Sequence, residues 1–455
     1  MEFRRSASVA AVLLSQFMYV GSAHSVEADE VLLLAEDVGR WLSSTAIERD
    51  NKTIWPDDAL APEKVGYDLA SGASGKVVYF IALYRATGNP EYLKCAMQGA
   101  DFLISTLDNP GRFDGDQRRA SLYAGVSGIG VALLHLREES SDPKYGAAFQ
   151  RVLDILDEWE VEGENGSHWS EQLNDLLYGD AGTVLFLSHV AQRDGDPDAF
   201  EAAQDGGRFL LSQSIDADEG RYWLFRRDRE FNLPNFSHGA AGVAYVLGTV
   251  GAQSENAGLL DGAEDGFEYV RSIAQNSDGA LRIPYGWGSD NWQGLYEFGW
   301  AHGLAGTSLM FAKMQQLGID RPEAEELLLQ SRETLTHIDL LGTPAEPFTE
   351  PSTPLDMRFG RAGVLTLVSF WAEKYPDDKA VIALRDSLFE RIRSAAIRER
   401  DTAYWQVDAP EFMGGGRAAY TGMLHGAAGI GLALLNMHAS MVHKPHYAEL
   451  PDDPL

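Results

Sequence analysis

Seven times along this chain a Gly-x-x-Gly pair opens an apolar helix, and few folds can satisfy that pattern. The seven units are YDLASGASGKVVYFIALY, SLYAGVSGIGVALLHL, DLLYGDAGTVLFLSHV, NFSHGAAGVAYVLGTV, FGWAHGLAGTSLMFAKM, DMRFGRAGVLTLVSFW and YTGMLHGAAGIGLALLNM. Their first glycines are Gly72, Gly125, Gly179, Gly239, Gly303, Gly360 and Gly426, at intervals of 53 to 66 residues. Single pairs arise by chance among 46 glycines, but a regular series does not, so it marks one supersecondary unit repeated in tandem. Lacking a Cβ, the glycines permit tight turns and bring each helix start close to its neighbours.

Between the units lies a second helical pattern, as in DPKYGAAFQRVLDILDEW and DDKAVIALRDSLFERIRSAAI, with apolar residues at intervals of three and four and charges opposite. Each repeat is therefore a helix pair. The helix after Gly-x-x-Gly is apolar nearly all round and belongs to a buried inner wall, while its amphipathic partner goes outside. Strand-like alternation is scarce, which argues against a mainly β fold. The expected architecture is an all-α, α/α toroid of seven inner and seven outer helices, forming one domain over residues 26–455.

With 45% hydrophobic residues the chain can bury a large core. Its formal net charge of −31 excludes a phosphate-backbone partner, because nucleic-acid binding draws on clustered Lys and Arg. Residues 1–25 combine Arg4 and Arg5, the apolar stretch SVAAVLLSQFMYVG and a small-residue exit at GSAHS, which is the layout of a signal peptide. The expected location is periplasmic or secreted, with no membrane insertion once the signal is removed. The single cysteine, Cys95, excludes an intrachain disulfide and any multi-cysteine metal site.

The repeats, above all DLLYGDAG, NFSHGAAG, WAHGLAG and LHGAAGIGLALL, resemble the lanthionine synthetase C family, from about Tyr67 to about Met437. The resemblance implies the toroid and, for the family's peptide cyclases, thioether formation at a zinc ion held by two cysteines and a histidine. This sequence departs from that pattern. Where the family has Trp-Cys-Tyr-Gly it carries Trp300, Ala301, His302 and Gly303, and where the family has Cys-His-Gly it carries Arg358, Phe359 and Gly360. All three zinc ligands are replaced, so neither a zinc cofactor nor zinc-dependent cyclisation is expected. Asp175 and His238 match the family's active-site aspartate and histidine, while Glu297 stands where an arginine is expected.

Seven turns at one end of a helical ring line a central mouth. That mouth should carry Asp175, Tyr178, Asp180, His238, Glu297, Trp300, His302, Arg358, Arg361 and His425, with free helix N–H groups adding a positive potential. The catalytic candidates are His238, Asp175, Glu297 and His302: an imidazole or a carboxyl moves protons and Asp175 orients an imidazole. Trp300, Arg358, Arg361, Tyr178 and His425 are candidate substrate-binding residues. An all-imidazole metal site from His238, His302 and His425 is a further arrangement to test, as are Asp175 and Glu297 as the carboxylate pair of a glycosidase. The functional expectation is a zinc-independent enzyme acting on a peptide or saccharide, against the alternative of a non-catalytic binding module for the same ligands.

Overall fold

The computed structural model describes residues 26–49, 52–277, 279–289, 292, 294–336, 355–408 and 415–453. The expected signal segment lies outside them. Among the described residues, fourteen helices alternate between two layers. The outer ones are α1 (Ala28–Ser44), α3 (Pro90–Leu107), α5 (Pro143–Trp159), α7 (Pro197–Ser212), α9 (Ala257–Ile273), α11 (Arg321–Thr336) and α13 (Lys379–Ser394). The inner ones are α2 (Ala73–Thr87), α4 (Val126–Glu139), α6 (Asp180–Asp194), α8 (Ala240–Gln253), α10 (Leu304–Leu317), α12 (Arg361–Lys374) and α14 (Ala427–Met441). Each inner helix packs on the next and α14 returns to α2, closing the ring, while α1 packs outside α14 and pairs the two ends of the chain. The protein is an α/α toroid. Burial follows the sequence pattern: every residue of α2 from Ala73 to Leu83 is buried, whereas α5 buries only a stripe through Tyr145, Ala148, Phe149, Val152, Ile155 and Leu156.

The two layers start their helices by different means. Five of the outer helices use side-chain caps, with Asn89, Asp142, Asp196, Asn256 and Asp378 each accepting from a backbone N–H of the first turn. Every inner helix has the first glycine of its repeat as N-cap, and none has a side-chain cap. The N–H groups there are met by the approach segment instead: Ser74 donates to Tyr67 O, Val126 to Arg119 O, Ala181 to Asn174 O and Ala241 to Pro234 O. Leu304 donates to Glu297 O, Ala362 to Leu355 O and Ala427 to Tyr420 O, always seven residues back. The expectation of free helix N–H groups is thus corrected, because a backbone loop already takes at least one from each inner helix.

That loop explains both glycines. A Cβ on the second glycine would strike the carbonyl oxygen six residues earlier in all seven repeats, at Leu69, Leu122, Leu176, Phe236, Trp300, Met357 and Met423. A Cβ on Gly239 would strike Leu233 O. With sterics clearing the way, one residue per repeat, two before the first glycine, bonds to its counterpart in the next repeat. Ala70 N donates to Tyr123 O (2.9 Å), Tyr123 to Leu177 (3.4 Å), Leu177 to Ser237 (3.0 Å) and Ser237 to Ala301 (3.0 Å). Ala301 donates to Arg358 (2.8 Å), Arg358 to Leu424 (3.0 Å) and Leu424 back to Ala70 (2.8 Å). Seven peptide groups form a closed circle of hydrogen bonds at the N-terminal end of the inner helices.

Two features were not anticipated from the sequence. Among the described residues, short antiparallel strand pairs follow five outer helices: 47–49 with 52–54, 161–163 with 166–168, 215–216 with 221–222, 275–277 with 280–282 and 397–399 with 402–404. Four of them deliver a buried tryptophan whose Nε1–H donates to a carbonyl thirteen residues back: Trp55 to Leu42, Trp169 to Leu156, Trp223 to Leu210 and Trp405 to Ile392. The chain end, in turn, crosses the opposite end of the inner ring. Tyr447 O accepts from Arg85, Glu449 O lies 2.7 Å from His135 Nε2, and the Asp452 carboxylate enters the lumen to meet the Tyr123 hydroxyl at 2.9 Å. A cavity of about 30 Å³ lies beside Tyr123, Trp300, Met357 and Asp452, where the Asp452 carboxylate enters the lumen.

Gly239→Ala should therefore destabilise the fold by about 3 kcal/mol or more, since backbone must move to relieve the clash. Gly146→Ala, in a helical position with open space around the added Cβ, should be neutral or stabilising by up to about 1 kcal/mol. Denaturant unfolding of the two variants checks the contrast. By the same measurement Trp223→Phe should cost about 1 kcal/mol, because it removes a buried hydrogen bond and leaves the Leu210 carbonyl with the Gln213 N–H alone.

Candidate active site

The circle of hydrogen bonds fixes what each neighbouring position does. The residue three before the first glycine is always large and apolar, and always buried or packed in the core: Leu69, Leu122, Leu176, Phe236, Trp300, Met357 and Met423. Trp300 therefore does not reach the mouth. It is 7% exposed and packs on Tyr123 and Phe236, with ring centroids 5.1 and 5.8 Å away. Asp180 also turns away from the mouth, accepting from Trp169 and Ser170 N–H and pairing with Arg227. Arg361 opens α12 with its side chain half-buried.

The residue directly before the first glycine faces the mouth. Repeats three to seven place Tyr178, His238, His302, Phe359 and His425 there. Their rings follow one another: Tyr178 to His238 at 5.4 Å, His238 to His302 at 5.1 Å, His302 to Phe359 at 6.0 Å and Phe359 to His425 at 5.6 Å. The aspartate four before the first glycine turns its own loop and then reaches into the next repeat. Asp175 Oδ2 accepts from Tyr178 N–H (3.1 Å) and lies 2.6 Å from His238 Nδ1. Asp356 repeats this, with Oδ1 accepting from Phe359 N–H (2.8 Å) and Oδ2 lying 3.1 Å from His425 Nδ1.

Arg358 joins the two pairs. One terminal nitrogen is 3.4 Å from His238 Nε2 and the other 3.3 Å from His425 Nε2. A guanidinium only donates, so both Nε2 atoms accept and the imidazole protons sit on Nδ1, facing the carboxylates. The resulting chain runs Asp175, His238, Arg358, His425, Asp356, with the guanidinium at its centre. Burial and the Arg358 charge hold the His238 imidazole well below its ordinary range. Burial lowers His302 likewise, aided by His238 and Arg358. Burial pushes the Asp175 carboxyl well up, opposed by the Tyr178 N–H.

Glu297 is the deep carboxyl of the site. Burial raises it to about 8 against the pull of Arg358, so it is largely protonated at neutral pH. Tyr285 stacks on His302 at 4.4 Å, its hydroxyl raised by burial and by Glu297. Among the described residues, Asp175 Oδ1, Glu297 Oε2, His302 Nδ1 and Arg358 Nε are buried without a hydrogen-bond partner. Such atoms are rare and cost about 1–3 kcal/mol each, so four in one place mark a slot built for something other than stability.

The residues do not fit a metal. Ala301 offers no donor atom, Phe359 is a ring between two histidines, and Arg358 occupies the Nε2 of both His238 and His425 with a positive charge. The all-imidazole arrangement fails for the same reason. Asp175 and Glu297 do not act as a matched pair either, because Asp175 stands behind His238. Sequence reading overlooked Asp356 and Tyr285. Asp356 carried a signal, since it precedes Gly360 by the same four residues that separate Asp175 from Gly179; Tyr285, in an irregular loop, carried none.

Comparison with known proteins agrees with the toroid fold. The chain is similar in structure to nisin cyclase, with a TM-score of 0.60 over 94% of this chain and 98% of that one at 13% sequence identity. It also aligns with a cellobiose 2-epimerase from Bacillus thermoamylovorans (TM-score 0.47, 12% identity, 90% and 98% covered). An α-1,6-mannanase from Salegentibacter sp. aligns at a TM-score of 0.41 and 15% identity, over 68% and 88% of the two chains. The family model of lanthionine synthetase C-like proteins matches residues 63–345, more than half of the sequence, and the chain belongs to that family.

Proposed function

We propose that this protein is a metal-independent acid–base enzyme that acts on a peptide or saccharide seated in the toroid mouth. The observation that carries the reading is the hydrogen-bonded chain of Asp175, His238, Arg358, His425 and Asp356. A neutral imidazole backed by a carboxylate is a general base, because the carboxylate stabilises the imidazolium that forms. Here two such pairs flank one guanidinium. As the substrate draws the Arg358 N–H groups onto its developing negative charge, His238 takes the substrate's proton at the freed Nε2 and the imidazolium returns it to the product, while His425 holds the guanidinium in place. Protonated Glu297 is a neutral donor next to that charge. The reading includes export, which rests on residues 1–25.

A mouth ringed by Tyr178, Tyr285 and Phe359 supports these substrate classes, because such faces suit a peptide or a sugar ring. Deuterium uptake tests the proposal whichever bond the reaction makes or breaks. Purified protein is incubated in D₂O with peptide and oligosaccharide pools, and mass spectra report exchange or conversion. Exchange in at least one pool is expected, reduced about 10²–10⁴-fold in His238→Ala. Ligand binding that persists in His238→Ala, with neither exchange nor conversion by the wild type, would make the protein a binding module instead.

Glu297 also sets a pH dependence. Its carboxyl is raised from 4.5 to about 8 on folding, so its favourable contribution is complete below pH 4.5 and is lost as pH rises to about 8. Glu297→Gln keeps the hydrogen-bonding shape and cannot ionise. Its Tm relative to wild type should therefore climb steadily between pH 5 and 8, and a flat difference across that range would refute the assignment.

A further inference from the structure

The guanidinium at the centre of the mouth is a cation bound to two neutral imidazoles. No carboxylate oxygen of the described residues forms an ion pair with Arg358; Asp175 and Asp356 each stand behind an imidazole, their facing oxygens engaged by Nδ1 and by backbone N–H groups. Around it lie three more polar atoms without partners, at Asp175, Glu297 and His302, together with the buried Nε of Arg358 itself. Seven inner helices also point their N-termini at this spot, which adds a positive potential although at least one N–H of each is engaged. A protein of net charge −31 thus keeps a fixed positive centre where its candidate site sits.

We infer that the mouth selects a carboxylate-bearing ligand, with Arg358 as the anchor for that carboxylate. A planar guanidinium presents parallel N–H groups that match the two oxygens of a carboxylate, and its hydrogens beyond those given to His238 and His425 remain to make the contact. The Nε2 atoms of His238 and His425 then flank the atoms next to the carboxylate, where neutralisation of its charge by Arg358 eases proton removal. The same chemistry is offered by a sugar acid and by a peptide C-terminus. The inference names the charge of the substrate in the acid–base reading above and rests on that reading only for its catalytic meaning, since binding is measured separately.

Long-range and local fields oppose each other here. The acidic surface repels an anion at distances beyond about 10 Å, the screening length near 0.1 M salt, while Arg358 attracts it at contact. Raising salt from 10 to 150 mM should therefore speed association of an anionic ligand without abolishing binding.

Calorimetric titration of the full protein tests the inference with matched probes: glucuronate against glucose, and N-acetyl-dialanine against its C-terminal amide. At least one acid should bind tenfold or more tightly than its neutral partner. Arg358→Gln should remove that preference and Arg358→Lys should keep part of it. Preference for the sugar acid or for the peptide acid identifies the source, and either supports the anchor. Equal binding of acid and neutral forms to the wild type overturns it, with no variant needed. So does an acid preference that survives in folded Arg358→Gln. Loss of deuterium exchange with the acid preference intact would refute the enzyme reading and leave the anchor standing.

Discussion

Seven backbone hydrogen bonds closed into a circle hold this molecule to one geometry. Each is worth only about 1 kcal/mol net, yet the circle requires every repeat to present the same peptide group at the same height. That condition accounts for the glycine pairs, which let the approach loop lie against the helix start, and for the absence of side-chain caps on the inner helices. It also explains the burial of the position beneath the circle. A chain whose repeats differ by up to 13 residues in spacing still closes, because hairpins and loops in the outer layer absorb the differences.

The circle also builds the site. It turns the residue before each glycine toward the axis and brings the aspartate of one repeat against the histidine of the next. A bonded pair is therefore never local: Asp175 and His238 are 63 residues apart, and Asp356 and His425 are 69. Repetition of the pair on both sides of Arg358 makes the arrangement nearly symmetric. The neighbouring repeats contribute the aromatic faces and the deep carboxyl, so all the polar groups converge on one guanidinium.

Electrostatically, a fixed organic cation stands where the resemblance places metal ligands. A metal would draw in thiolates and imidazoles as ligands. The guanidinium instead donates to the imidazoles, leaves them neutral and keeps its remaining N–H groups for a ligand. Burial does the rest, keeping Glu297 protonated and His238 unprotonated near neutral pH.

Much of this was written in the sequence. Periodicity of glycine and apolar residues determined the helix pairs, the two layers and the toroid, because burial and close backbone approach leave a direct mark on residue type. The same columns placed His238, His302 and His425 at the mouth, whereas Trp300, expected there, sits in an all-apolar column and is buried. Only the tertiary structure decided which partners meet: Asp356 with His425, Arg358 between two imidazoles, Tyr285 over His302, and the chain end inside the lumen. Those contacts join residues from 17 to 329 positions apart, and charge and hydrogen bonding between distant residues impose no period on the sequence.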